Sequence, residues 1–196
     1  LGLLGVSELP RSAQGAVQLM SSCPVVGLGA LTVGDTVTSP TGAPGLSTTL
    51  SQPVGLAIDQ NDGTMYVSER NWDTNTYLTT GRGRLRRITQ SGVVTDLPLG
   101  PAETRLGRLA INPAGTTVYV ATKDRLNVSR VYAVDVAAET PTWTVIAGGG
   151  SDTLGNGIAA TDARLFSIGD LAVSPTTGLL YIAGVATDEA APAVNV

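Results

Sequence analysis

PVGLAIDQNDGTMYVSE, from Pro53 to Glu69, consists of two short apolar segments joined by Asn61-Asp62-Gly63. Gly55-Leu56-Ala57-Ile58 is a continuous apolar run, as expected of a strand buried on both faces. Gly63 supplies the positive φ that a tight hairpin needs, and Met65-Tyr66-Val67 is the return strand. The pattern comes back twice, as RLGRLAINPAGTTVYVAT (Arg105 to Thr122) and FSIGDLAVSPTTGLLYIAG (Phe166 to Gly184). Ala57 to Ala110 and Tyr66 to Tyr119 are both 53 residues apart, and Ala110 to Ala172 and Tyr119 to Tyr181 are both 62 apart. Two landmarks keep step across both intervals, so the hairpin is fixed and insertions lie outside it.

Each hairpin opens a longer unit. In the first, Gly83 to Thr89 is a third strand, Ser91-Gly92 a turn, and Val93 to Leu97 a fourth strand. In the second, Leu109 to Ile111 and Val118 to Ala121 are followed by Arg130 to Asp135 and Trp143 to Ala147. The third begins with Leu171 to Val173 and Leu180 to Ala183 and then runs out. Ala16 to Met20 and Pro24 to Gly29 carry short strand patterns, and the latter resembles Val145 to Gly149. The expected division is therefore 1–29 tail strands of a preceding unit, 30–50 loop, 51–98 first unit, 99–150 second unit, 151–165 loop and 166–196 partial unit. A four-stranded antiparallel unit repeating in this way is the mark of a β-propeller blade. The expected fold is all-β, an incomplete portion of a ring that further blades, or further copies of the chain, complete. The missing initial Met and the unfinished third unit lead to the expectation of a processed chain or a fragment.

Composition narrows the chemistry. The 196 residues include 24 Gly and no His, and 12 basic against 16 acidic side chains give a net charge of -4. Without imidazole, Ser-His-Asp triads, Cys-His pairs and His-ligated metals are excluded within this chain. Cys23 is the single cysteine, so no intrachain disulfide forms. No apolar run approaches the ~20 residues of a membrane helix. The acidic balance argues against general nucleic-acid binding.

The motifs also resemble the NHL-repeat propellers, with a YVTN-like flavour in the second unit, over Val25 to Gly184. LSQPVGLAIDQNDGTMYVSE is similar to the family's Leu-x-x-Pro-x-Gly opening and Gly-x-hydrophobic-Tyr-Val return; GRLRRITQSGVVTDLPLG and VIAGGGSDTLGNGIAATDARL are similar to its third and fourth strands and its linker. Glu103 stands where the other units have Leu50 and Leu165, and the position of Asp59 is Asn112 and Ser174 in its copies. The resemblance implies a six-bladed ring used for protein or ligand recognition. Some relatives are enzymes, including a zinc-dependent peptidyl-amidoglycolate lyase that needs His ligands absent here.

Each polar motif has a structural reading beside its functional one. Asp59 to Gly63 looks like a calcium loop, but its sixth residue is Thr64 and its twelfth Arg70, so a hairpin turn is expected. Arg82, Arg84, Arg86 and Arg87 form a basic cluster, expected to be a solvated strand face paired with Asp96. Gly148-Gly149-Gly150 and Gly155-Asn156-Gly157 lack the spacing of a phosphate loop. Asn127-Val128-Ser129 is a glycosylation sequon. No catalytic, cofactor or metal residue is expected. The residues expected to define the blades are Gly55, Ala57, Gly63 and Tyr66, then Gly107, Ala110, Gly115 and Tyr119, then Gly169, Ala172, Gly178 and Tyr181. These features lead to the expectation of a non-enzymatic, extracellular scaffold or recognition module for protein or glycan. The alternative is a lyase- or hydrolase-type propeller enzyme whose catalytic residues lie in blades outside this chain.

Overall fold

The computed structural model describes residues 43–44, 50, 52–70, 83–98, 100, 104–124, 126–152 and 157–185. Among the described residues the fold is all-β, without helix. The strands are β1 (Ala43–Pro44), β2 (Pro53–Ile58), β3 (Met65–Glu69), β4 (Arg84–Ile88), β5 (Val93–Asp96), β6 (Thr104–Ile111), β7 (Thr117–Asp124), β8 (Ser129–Asp135), β9 (Trp143–Gly148), β10 (Ser167–Val173) and β11 (Leu180–Val185). They form three open antiparallel sheets in the orders β1-β5-β4-β3-β2, β6-β7-β8-β9 and β10-β11. Each repeat unit is thus a meander of neighbouring strands. The stretches 1–29 and 186–196 lie outside the described residues.

The segment expected to be a plain loop, 30–50, contributes β1, in which Ala43 and Pro44 pair with Val94 and Val93. Proline is tolerated there because β1 is an edge strand and no ladder donor is needed. The first strands are also longer than their apolar runs. β6 starts at Thr104 and β10 at Ser167, because each continues through a register shift, between Leu106 and Leu109 and between Ile168 and Asp170. β2 shifts likewise between Pro53 and Gly55. A bulge adds a residue without ending the ladder, so apolar alternation breaks while the strand goes on.

The hairpins follow the repeat. Gly63, Gly115 and Gly178 sit at φ 74°, 72° and 70°. The residue that varies before each turn has one job in all three. Asp59 Oδ1 accepts the Asn61 N–H at 2.9 Å, Asn112 Oδ1 accepts those of Thr116 and Thr117 at 2.9 and 3.0 Å, and Ser174 Oγ accepts that of Thr177 at 3.1 Å. Asp, Asn and Ser all supply the side-chain oxygen that closes such a turn.

Sheets stack face to face. Ala57, Tyr66 and Leu85 of the first pack against Leu109, Val118 and Val120 of the second. Ala110, Ala121 and Val131 of the second pack with Leu171 of the third. Close approach of β2 and β6 depends on Gly55, where an added methyl would overlap the Gly107 carbonyl. Ser68 Oγ donates to that same carbonyl at 2.6 Å. At the turn end Asn61 Nδ2 donates to Pro113 O at 3.0 Å, and the Asp59 carboxylate lies against Gly115.

The basic cluster corrects the expectation of a solvated face. Arg86 and Glu69 are both fully buried, at 0% exposure. Arg86 Nε lies 3.0 Å from Glu69 Oε2 and 3.0 Å from Asp96 Oδ1, and Arg84 Nε lies 3.3 Å from Glu69 Oε2. Burial pulls the Arg86 pKa below its ordinary value, and the Glu69 carboxylate opposes that shift. Asp96 is the partner expected. Glu69 is an additional one, facing Arg84 from the preceding strand. Arg87 alternates to the other face, opposite Tyr66, and Arg82 lies outside the described residues.

Glu69→Ala leaves buried guanidinium without this carboxylate and is expected to cost roughly 3–5 kcal/mol in urea unfolding. Gly115→Ala is expected to cost about 2–3 kcal/mol, from positive φ and from displacing Asp59, and only ~1–2 kcal/mol in an Asp59→Ala background. Equal costs in both backgrounds would show that the two turns are not coupled.

Candidate functional site

The three first strands β2, β6 and β10 lie side by side, with β6 in the middle. Their bulges fall at a common level, and Arg108, inside the β6 bulge, uses it. Its Nη1 donates to Val54 O at 3.2 Å and its Nε to Gly169 O at 3.3 Å. One guanidinium therefore ties the bulged segments of both neighbours to the central strand.

Beyond the bulges, at the end opposite the hairpin turns, is a cleft of about 250 Å³. Arg70, just past β3, comes from the first sheet; Arg105 and Lys123 come from the second; Ser167 comes from the third. Arg105 and Lys123 are direct cross-strand partners on β6 and β7. Like charges placed opposite each other in a sheet are unfavourable. Asp124, the neighbouring acid, is engaged elsewhere: its Oδ2 holds Arg130 Nη1 at 2.8 Å and its Oδ1 accepts the Leu126 and Val128 N–H groups. Among the described residues no carboxylate lines the cleft. Lys123 Nζ stands 4.5 Å from the Phe166 ring centroid, a cation–π contact that holds the ammonium in place. Arg70 Nε is shielded from solvent without a hydrogen-bond acceptor among the described residues. Two of the wall hydroxyls are committed to structure, Thr122 Oγ1 to Arg130 O and Ser129 Oγ to Phe166 O.

A second hollow, of about 330 Å³, is apolar and lies on the face of the first sheet turned away from the second, lined by Leu50, Leu56, Met65, Val67, Ile88 and Arg108. The cationic cleft can bind and orient an anion. Tyr66 and Tyr132, buried phenols away from the cleft, are pushed above their ordinary value by that burial. No group of His, Cys, Asp or Glu among the described residues is arranged to hold a metal. No helix among them is long and apolar enough to cross a membrane.

The motifs singled out in the sequence fall mostly outside the cleft. The Asp-rich turn spends its carboxylates within the turn, Asp59 on Asn61 and Asp62 on the Thr64 N–H. Gly148 and Gly150 donate their N–H groups to Ala160 O and Ala163 O, so these amides are already used; Gly155 and Asn156 lie outside the described residues. Asn127 is exposed at φ 63°, a left-handed conformation that Asn tolerates, and the Ser129 hydroxyl joins the second unit to the third. Both ends of the sequon thus have roles independent of a glycan. Of the blade-defining positions, Gly107 does reach the cleft wall. Reading along the sequence does not single out Arg70, Arg105, Lys123 or Arg108. Their signal is weak: isolated cations at strand ends, brought together only by stacking.

No family model matches the chain, and no curated protein matches it. Among solved structures it is similar to one described as a "putative oxidoreductase (glucose dehydrogenase)" from Thermus thermophilus, at 18% identity and a TM-score of 0.43. The match covers 75% of this chain and 39% of that one, so the chain spans about two fifths of the length of the structure it resembles. The expectation of a non-enzymatic scaffold or recognition module is corrected here. The finding against it is that the named neighbour is described as an enzyme. At this degree of likeness neither its reaction nor its substrate transfers.

Arg108→Met is expected to lower unfolding free energy by roughly 1–2 kcal/mol, the loss of two charged hydrogen bonds at a partly solvated site. Hydrogen exchange should quicken in β2 and β10 together; quickening in β6 alone would show that Arg108 does not bridge them.

Proposed function

We propose that this chain is a segment of an NHL-like β-propeller enzyme of the lyase or hydrolase type. It contributes blades and part of a substrate entrance, while the reacting groups stand on blades outside these residues. The observation that carries the ring reading is an internal control supplied by the repeat. Leu56, Leu109 and Leu171 occupy one register position, each facing the preceding sheet. Leu109 and Leu171 are both 6% exposed, whereas Leu56, with no described sheet before it, is 55% exposed. Tyr66, Tyr119 and Tyr181 face the following sheet. Tyr66 is 4% exposed and Tyr119 packs against the second core, but Tyr181 is 59% exposed. Each end of the stack thus presents side chains whose equivalents are buried against a neighbour, which is the expected condition of an interrupted ring. Large apolar side chains left open in register at both ends mark interaction surfaces.

The enzyme half of the proposal is supported by the cleft, a concave polar site to which three successive units contribute. Its described lining has charge for binding and, among the described residues, neither carboxylate nor imidazole. On this reading binding happens here and chemistry elsewhere in the ring.

In the isolated chain Leu56→Asp is expected to change stability by less than ~0.5 kcal/mol, against about 3 kcal/mol or more for Leu109→Asp. Within the assembled ring, whether closed by further sequence or by other copies, the Leu56 cost rises to match that of Leu109. A Leu56→Asp protein that scatters as the wild type and is equally stable in every context would refute the ring. Chromogenic ester, phosphoester and peptide-amide substrates offered to the assembled ring test the second half, and no turnover of any class refutes it.

A further inference from the structure

We propose that the apolar hollow on the first sheet is a docking site for a second copy of this chain, whose third hairpin inserts Tyr181. The assignment rests on the ring reading and names what meets the open face. Leu56, Met65 and Val67, which line the hollow, occupy the register positions of Leu109, Val118 and Val120. In the second sheet those three residues receive Ala57, Tyr66 and Leu85 of the first and are buried. In the third sheet the same positions, Leu171, Leu180 and Ile182, pack against Ala110, Tyr119 and Ala121 of the second. The hollow is thus the receiving half of a contact that the chain makes twice internally. The presenting half lies open at the other end. Ala172 pairs with Tyr181 across β10 and β11 as Ala57 pairs with Tyr66, and both are exposed, Tyr181 by 59%.

Charge selects a copy of this chain as the occupant. Asp170, also exposed, stands two residues before Ala172, as Arg108 stands two before Ala110. From that position Arg108 reaches Gly169 O of the following sheet. The residue of the first unit equivalent to Gly169 is Val54, so a docked Asp170 comes to Val54 O. Arg108 Nη1 already stands there, 3.2 Å from Val54 O, and Arg108 lines the hollow. The acid of one copy therefore meets the guanidinium of the other, where a bare carbonyl would repel it. Two different faces of identical molecules make a heterologous contact, which propagates into a ring or an open chain.

The test follows the mass of the purified 196-residue chain against concentration by sedimentation and light scattering. Wild type is expected to associate, its mass rising with concentration. Leu56→Asp spoils the receiving half and Tyr181→Asp the presenting half. Both side chains are exposed, so each variant should fold as the wild type does, checked by circular dichroism and urea unfolding. Each alone should stay monomeric. Mixed in equal amounts they should form a dimer and nothing larger, because the intact Tyr181 face of one fits the intact hollow of the other. Asp170→Arg should weaken association roughly 10-fold. A wild type monomeric at every concentration, a mixture that stays monomeric, or either variant alone associating as the wild type does would overturn the assignment. A monomeric wild type leaves a ring closed by further sequence standing, whereas an assembled ring without turnover removes the enzyme and leaves the docking.

Discussion

Everything in this structure depends on how closely the first strands of successive units approach. At Gly55 the β2 backbone meets the Gly107 carbonyl of β6 so nearly that no side chain fits between them. Ser68 and Arg108 then convert proximity into hydrogen bonds, one to Gly107 and two to the flanking strands at Val54 and Gly169. The apolar layers farther out, with valines at 118, 120, 131 and 134 fully buried, can close only because these inner edges are in contact. Buried area supplies most of the stabilisation, and the inner edge decides its geometry.

A sheet with two packing faces has to be made for two neighbours. The second sheet satisfies this demand, with one core against each adjoining sheet. The first sheet solves its other face unusually, by placing an ionic cluster of Glu69, Arg84, Arg86 and Asp96 beside an apolar patch of Leu50, Val67, Ile88 and Val94. Removing one member of such a buried network is costly, yet the network as a whole adds little net stability. Both halves are shielded from solvent, with Glu69 and Arg86 at 0% exposure and Ile88 at 1%.

Hairpins are the part most legible in sequence, since a glycine turn flanked by apolar pairs specifies local geometry by itself. Ala57, Ala110 and Ala172, with Tyr66, Tyr119 and Tyr181, give the register of three units from spacing alone. What stays hidden are side-chain partners that spacing along the chain does not specify. Glu69 is adjacent to Arg84 and Arg86 only across a ladder that spans the insertion after Arg70. The substitution series Asp59, Asn112, Ser174 looks like divergence and is a shared acceptor. The cleft is illegible because its cations come from different units, and no pattern along one strand brings Arg70 to Lys123.

The β6 bulge has a consequence of its own. Counted outward from the Ala110–Tyr119 pair without interruption, Arg105 would stand opposite Asp124, cation against anion. The additional residue between Leu106 and Leu109 slips the ladder by one step and sets Arg105 against Lys123, with Thr104 paired to Asp124. The bulge therefore works as a frameshift in the pairing alphabet. On its turn side the hairpin spells a core. On its loop side the same two strands, displaced by a single position, set Arg105 and Lys123 face to face.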